Sequence, residues 1–146
     1  VKELIKAKDP DFIPLYREKL YEVQERLKIN GKPDLALMHD FSPGLYMRRL
    51  LIPAGTFLIG GTHKTEHLNI AMSGSAHVMI DGEINYIKAP HVMKSGAGVK
   101  KVFYILEDMI WATTHVTEET DLDKLEETLI LNEQEEKETY FKRLNL

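Results

Sequence analysis

The residues of this chain that could do chemistry are few. Among six histidines, His63 and His67 stand four apart just after a glycine pair; Arg48 and Arg49 are adjacent in an apolar run, and Lys101 opens another. Imidazoles serve as metal ligands, acids and bases, or polar partners of a ligand, and cations recognise carboxylates and phosphates. No cysteine occurs, which excludes disulfides, thiol nucleophiles, cysteine-based zinc sites and iron–sulfur clusters together. Any metal must use histidine, carboxylate or water. The cluster Gly96-Ala97-Gly98 is not followed by the lysine–serine pair of a phosphate-binding loop, and there is no Gly-x-Ser-x-Gly elbow, so no recognisable nucleophile setting points to covalent catalysis.

These residues belong to a chain of 146 residues, 43% hydrophobic and 29% charged, which is the size and composition of one globular domain. No apolar run approaches the roughly 20 residues of a membrane span, and Val1–Lys6 lacks the apolar centre of a signal peptide. A soluble cytoplasmic protein is expected. The net charge of −4 is uneven: from Thr117 onward ten acidic residues face four basic ones, a net −6, against a net +2 for the remainder. Without a clustered basic face, duplex nucleic acid is not an expected partner.

The elements that must position the candidates follow from periodicity. Tyr16, Leu20, Val23 and Leu27 describe an amphipathic helix stopped by Asn30-Gly31. From Leu35 the texture becomes short β-like runs at 45–52, 56–59, 68–72, 76–80, 83–87, 102–106 and 109–116, separated by glycine and proline turn signals. Such spacing predicts an all-β sandwich or barrel, with a two-residue hairpin at Asp81-Gly82. Helical spacing resumes at Leu122, Leu125 and Leu129 behind a capping box of Thr120 and Asp123, then passes into the acidic run Glu133–Glu138 and an apolar end at Tyr140, Phe141 and Leu144. The expected organisation is an N-terminal helical arm over 1–34, a β-barrel over 35–116 and an acidic C-terminal helix and tail over 117–146. Adjacent strand residues face opposite sides, so one of Arg48 and Arg49 points inward. A buried arginine needs an anionic or carbonyl partner, either from a ligand or from the protein itself, such as Glu107 or Asp108.

The stretch from Gly55 through His63 and His67 to Gly74 resembles the first motif of the cupin superfamily: glycine, five residues, His-x-His, three or four residues, glutamate, six residues, glycine. Gly55, His63 and Gly74 are in register; Gly61 holds the first histidine's place and His67 the glutamate's. In the second motif only Gly98 matches, and Pro90, Gly96, Lys101 and Ile105 hold its glycine, proline, histidine and asparagine positions. The resemblance spans about 45–116. It implies a mainly β, cupin-type jelly-roll barrel with flanking N- and C-terminal α-helices. The segments His63–Ile70 and Glu107–Trp111 also resemble small cupin-like proteins of tailed bacteriophages, which would place the chain in the host cytoplasm or the virion.

Metal-using cupins hold their ion with three histidines and a carboxylate. Here a turn at 64–66 would let His63 and His67 meet inside the barrel as metal ligands, with Glu66, Tyr104, His115 or solvent completing the set and zinc the most plausible ion. Lys101, at the place of the last histidine, opposes a cation and suits an anion instead. On that parity Lys101, Phe103 and Ile105 face inward with His63 and His67, and His77 faces outward. Three functional readings follow. One is a binding protein whose pocket of His63, His67, Lys101, Tyr104 and one of Arg48 or Arg49 takes a polar or anionic metabolite of the sugar or nucleotide class. Another is a metal-dependent enzyme with a reduced ligand set. The last is a homo-oligomeric structural or virion accessory protein whose terminal helices make the contacts, with Trp111, Met72, Met79 and Met109 in the core or between subunits.

Overall fold

A computed structural model describes residues 12–29, 35–136 and 138. The order is α1 (Phe12–Ile29), β1 (Ala36–Ser42), β2 (Leu45–Ile52), β3 (Phe57–Ile59), β4 (His67–Ile80), β5 (Glu83–Lys88), β6 (His91–Ser95), β7 (Lys101–Val116), α2 (Leu122–Leu129) and α3 (Glu133–Glu136). The helix stop at Asn30-Gly31 and the apolar end at Tyr140, Phe141 and Leu144 lie outside the described residues. No described helix is long and apolar enough to cross a membrane.

Two long strands organise the barrel. The N-terminal half of β4 pairs with β6 and with the C-terminal half of β7, which also pairs with β2 and, through it, with β1. The C-terminal half of β4 pairs with β5 and with the N-terminal half of β7, which also pairs with β3. The two halves fold onto each other. Phe103 and Trp111 lie eight positions apart on β7, roughly 26 Å on a straight strand, yet their rings meet edge to face at 5.0 Å. The bend lies where the β4–β7 register slips between Ala71 and Ala76. Gly74 sits there with φ +84°, and a Cβ would overlap the backbone of Glu107 and Asp108. Ser73-Gly74, read from sequence as a turn between two strands, is therefore a bulge within one. The same holds for the gap between 106 and 109.

Inward residues of both halves build one apolar core: Ile52, Ala71, Met109 and Trp111 from the first, Ala76, Val78, Ile87, Phe103 and Ile105 from the second. At Asp81-Gly82 both residues have positive φ, 46° and 89°, as a tight hairpin needs. α2 begins on Asp121, whose carboxylate accepts the Asp123 N–H at 3.0 Å. The cap is thus Asp121 and not Thr120, because the carboxylate one residue later already reaches the first free amide. Leu125 and Leu129 of α2 bury Tyr46, fixing the helix over one end of the barrel.

Candidate functional site

Beneath α2 the interior is polar. His63 lies in the segment between β3 and β4, clamped from both sides: its carbonyl accepts the Gly98 N–H at 2.9 Å, and it bridges antiparallel to Ile130. Around that bridge Lys64 N–H donates to Leu129 at 2.8 Å and Leu131 N–H to Thr62 at 2.9 Å. A Cβ added at Gly61 would lie 3.1 Å from Ile130 Cγ2. The turn at 64–66 then returns the chain into β4, where His67 opens the strand.

Three imidazoles meet there. Ring centroids are 4.2 Å apart for His63 and His67, and 5.0 Å from each of them to His115. The His63 Nδ1 to His67 Nε2 distance is 3.1 Å, and His67 Nδ1 lies 2.9 Å from the Thr65 carbonyl. His115 reaches the pair because β7 places it opposite Tyr46 and beside the start of β4. Tyr46 stacks on His115 at 6.2 Å and shares a 2.7 Å hydrogen bond with His39. His115 Nδ1 is buried and has no hydrogen-bond partner. Two positions further along the strands, Thr113 donates to Asn69 at 3.3 Å and the Asn69 amide donates to Ser95 at 2.5 Å.

The electrostatics are one-sided. Burial first, then the proximity of His67, His115, Lys101 and Arg48, pushes His63 down to about 2. Burial, then His67 and Arg48, lowers His115 to about 4. His67 is lowered by burial and by Lys101 and Arg48, against the hydrogen bond to Thr65. All three are neutral at pH 7. Burial lowers Lys101 to about 8 while Asp81 pulls it up, so it remains mostly charged.

Arg48 is the inward arginine, on the parity of Tyr46 and Ile52. Arg49 faces out and pairs with Asp40 at 2.9 Å, not with Glu107 or Asp108. Those two carboxylates instead accept from Ser75 and from the Ala54 N–H. Tyr104, assigned from sequence to the pocket, is half exposed on the outer face between Phe57 and His77, because inward Phe103 and Ile105 leave it the opposite side. Glu66 is also exposed, beside Lys94 at 3.8 Å. His63, His67, Lys101 and Arg48 therefore come together, while Arg49, Tyr104 and Glu66 do not. Tyr46, Asn69, Ser95 and Thr113 join them without having been singled out, although stepping by two from Arg48, His67 and His115 reaches three of the four.

The side chains do not fit a resident divalent cation. Among the described residues no group of three or more histidines or carboxylates forms a metal site, and every charge that bears on the three imidazoles is positive. An ammonium and a guanidinium there would oppose a metal ion.

Comparison with solved structures fixes the architecture. KdgF from a Halomonas species, a cupin-fold protein, aligns over 65% of this chain and 89% of its own, at 12% identity and a TM-score of 0.52. The chain has the cupin fold. The same fold aligns with salicylate 1,2-dioxygenase from Pseudoaminobacter salicylatoxidans in a structure with gentisate, at 12% identity and TM-score 0.55, over 78% of this chain but 34% of the dioxygenase. An RmlC-like cupin family protein with a double-stranded β-helix fold from Methanocaldococcus jannaschii aligns over 60% of this chain and 86% of its own, at 12% identity and TM-score 0.48. No protein-family model and no curated protein matches the cupin-fold chain by sequence.

Proposed function

We propose that the polar end of the cupin barrel binds a small anionic or polar molecule of the sugar or nucleotide class. Arg48 and Lys101 supply charge-assisted contacts, and His63, His67 and His115 supply neutral polar ones. The observation that carries this reading is the positive charge: Arg48 bears on all three neutral imidazoles and Lys101 on His63 and His67, and among the described residues Asp81 bears on Lys101 while no carboxylate forms an ion pair with Arg48. Cations held in such a site favour an anionic partner. Binding of a small carboxylate has a parallel in the aligned dioxygenase, described with gentisate.

Calorimetry with ribose 5-phosphate, nucleoside monophosphates and gentisate at pH 7 tests the proposal. At least one is expected to bind saturably, and Arg48→Met and Lys101→Met are each expected to weaken it about tenfold or more. Affinity should hold between pH 6 and 7.5 and fall above pH 8 as Lys101 loses its proton. Absence of binding by every anion, together with stoichiometric metal that His63→Ala removes, would replace this reading with a metal site.

A second reading rests on the outer face. The register aligns Phe57, Tyr104, His77 and Tyr86 in one exposed row across β3, β7, β4 and β5, beside Ile84 at 68% exposure. Contiguous exposed aromatic surface supports self-association through this sheet. Light scattering should show an oligomer that Ile84→Lys with Tyr86→Lys dissociates; a monomeric unsubstituted protein would remove the reading.

A further inference from the structure

The hydrogen bonds around His67 fix more than position. A carbonyl oxygen carries no proton, so at 2.9 Å from the Thr65 carbonyl it is His67 Nδ1 that donates. A neutral His67 then has a bare Nε2, which can only accept. The atom facing it at 3.1 Å is His63 Nδ1, so this nitrogen carries the proton. A neutral His63 with a proton on Nδ1 leaves Nε2 as a lone pair, and among the described residues that atom has no hydrogen-bond partner. Burial and the surrounding positive charge keep both rings neutral at pH 7. One backbone carbonyl thus sets two tautomers in series.

From this chain we infer that the ligand is a hydroxylated anion: a molecule whose carboxylate or phosphate meets Arg48 and Lys101 while a neighbouring hydroxyl donates to His63 Nε2. The inference rests on the anion-binding reading of the same site and narrows it. A bare anion satisfies the cations but sets an oxygen lone pair against the Nε2 lone pair, whereas a vicinal hydroxyl turns that repulsion into a hydrogen bond. A site that hydrogen-bonds a substrate hydroxyl discriminates against the analogue without it, because the analogue displaces solvent from His63 Nε2 without replacing its hydrogen bond.

The test pairs a ligand comparison with a spectroscopic one. Calorimetry with malate and succinate, which differ by one hydroxyl, should show at least a tenfold preference for malate, and ribose 5-phosphate should bind as well. Nitrogen-15 NMR of the unliganded protein at pH 7 should show His63 protonated on Nδ1 and bare on Nε2. His67→Phe should shrink the malate preference to below threefold while both acids still bind. Should that variant not fold, the malate–succinate comparison and the NMR measurement on the unsubstituted protein decide together. Equal affinity for the two acids, or a proton on His63 Nε2, would overturn the inference and leave anion binding standing. Binding of none of malate, succinate or ribose 5-phosphate would overturn the anion reading, and the inference with it.

Discussion

The interior of this barrel has two ends made from the same strands. On β2 the inward residues run Tyr46, Arg48, Leu50, Ile52; on β4 His67, Asn69, Ala71; on the returning β7 His115, Thr113, Trp111, Met109. All three change from polar to apolar at one row, between Arg48–Thr113–Asn69 and Leu50–Trp111–Ala71. Backbone geometry is continuous across that boundary, so the difference lies in side-chain chemistry alone. Apolar burial holds the fold, at about 25 cal/mol per Å² removed from water. The polar end contributes little net stability, since each of its groups gives up water to be buried. A stability argument does not account for three neutral imidazoles and two cations in one place; the proposed ligand would.

Damage to the apolar end should be largest. Trp111→Ala removes the ring that packs against Phe103 at the bend of β7, and is expected to cost about 3–5 kcal/mol in chemical denaturation. An intermediate effect belongs to the polar end and depends on pH. His63 and His115 titrate near 6.5 when unfolded and at about 2 and about 4 when folded. Between those values the unfolded chain binds more protons, so stability is full above pH 6.5 and declines as pH falls toward 4. His115→Phe removes one such group together with its unpartnered nitrogen, and should gain about 1–3 kcal/mol at pH 5 relative to the parent, with a smaller gain at pH 7.5. The smallest effect separates the neighbouring arginines: Arg49→Ala should change stability by less than about 1 kcal/mol and leave ligand affinity unchanged, because its ion pair with Asp40 is partly solvated. An Arg49→Ala loss of affinity comparable with that of Arg48→Met would break the assignment of inside and outside.

Much of this division could be read from the sequence. Alternation required one inward arginine, the motif register brought His63 and His67 together, and Asp81-Gly82 made the hairpin. The strands β1 and β6 were missed because their exposed, mixed residues, such as Leu37-Met38-His39-Asp40, carry no clean alternation. The bulge at Gly74 was hidden because glycine marks a turn and a bulge alike, and what separates them is the Asp108 backbone, remote in sequence. In the sequence His115 is only one of several partners for His63 and His67; the β2–β7 register, a long-range fact, is what sets it beside them and opposite Tyr46. Tyr104 was misplaced although its own parity, between Phe103 and Ile105, already pointed outward.

Gly61 stands at the first histidine's place in the motif that this stretch resembles, and Ile130 presses on the space a side chain there would fill. A side chain there would press on Ile130, which would have to give by a few tenths of an ångström within the strap at 129–131 that the paired amides on either side of His63 hold in place. The residue type at position 61 and the path of the strap at 129–131 are therefore coupled.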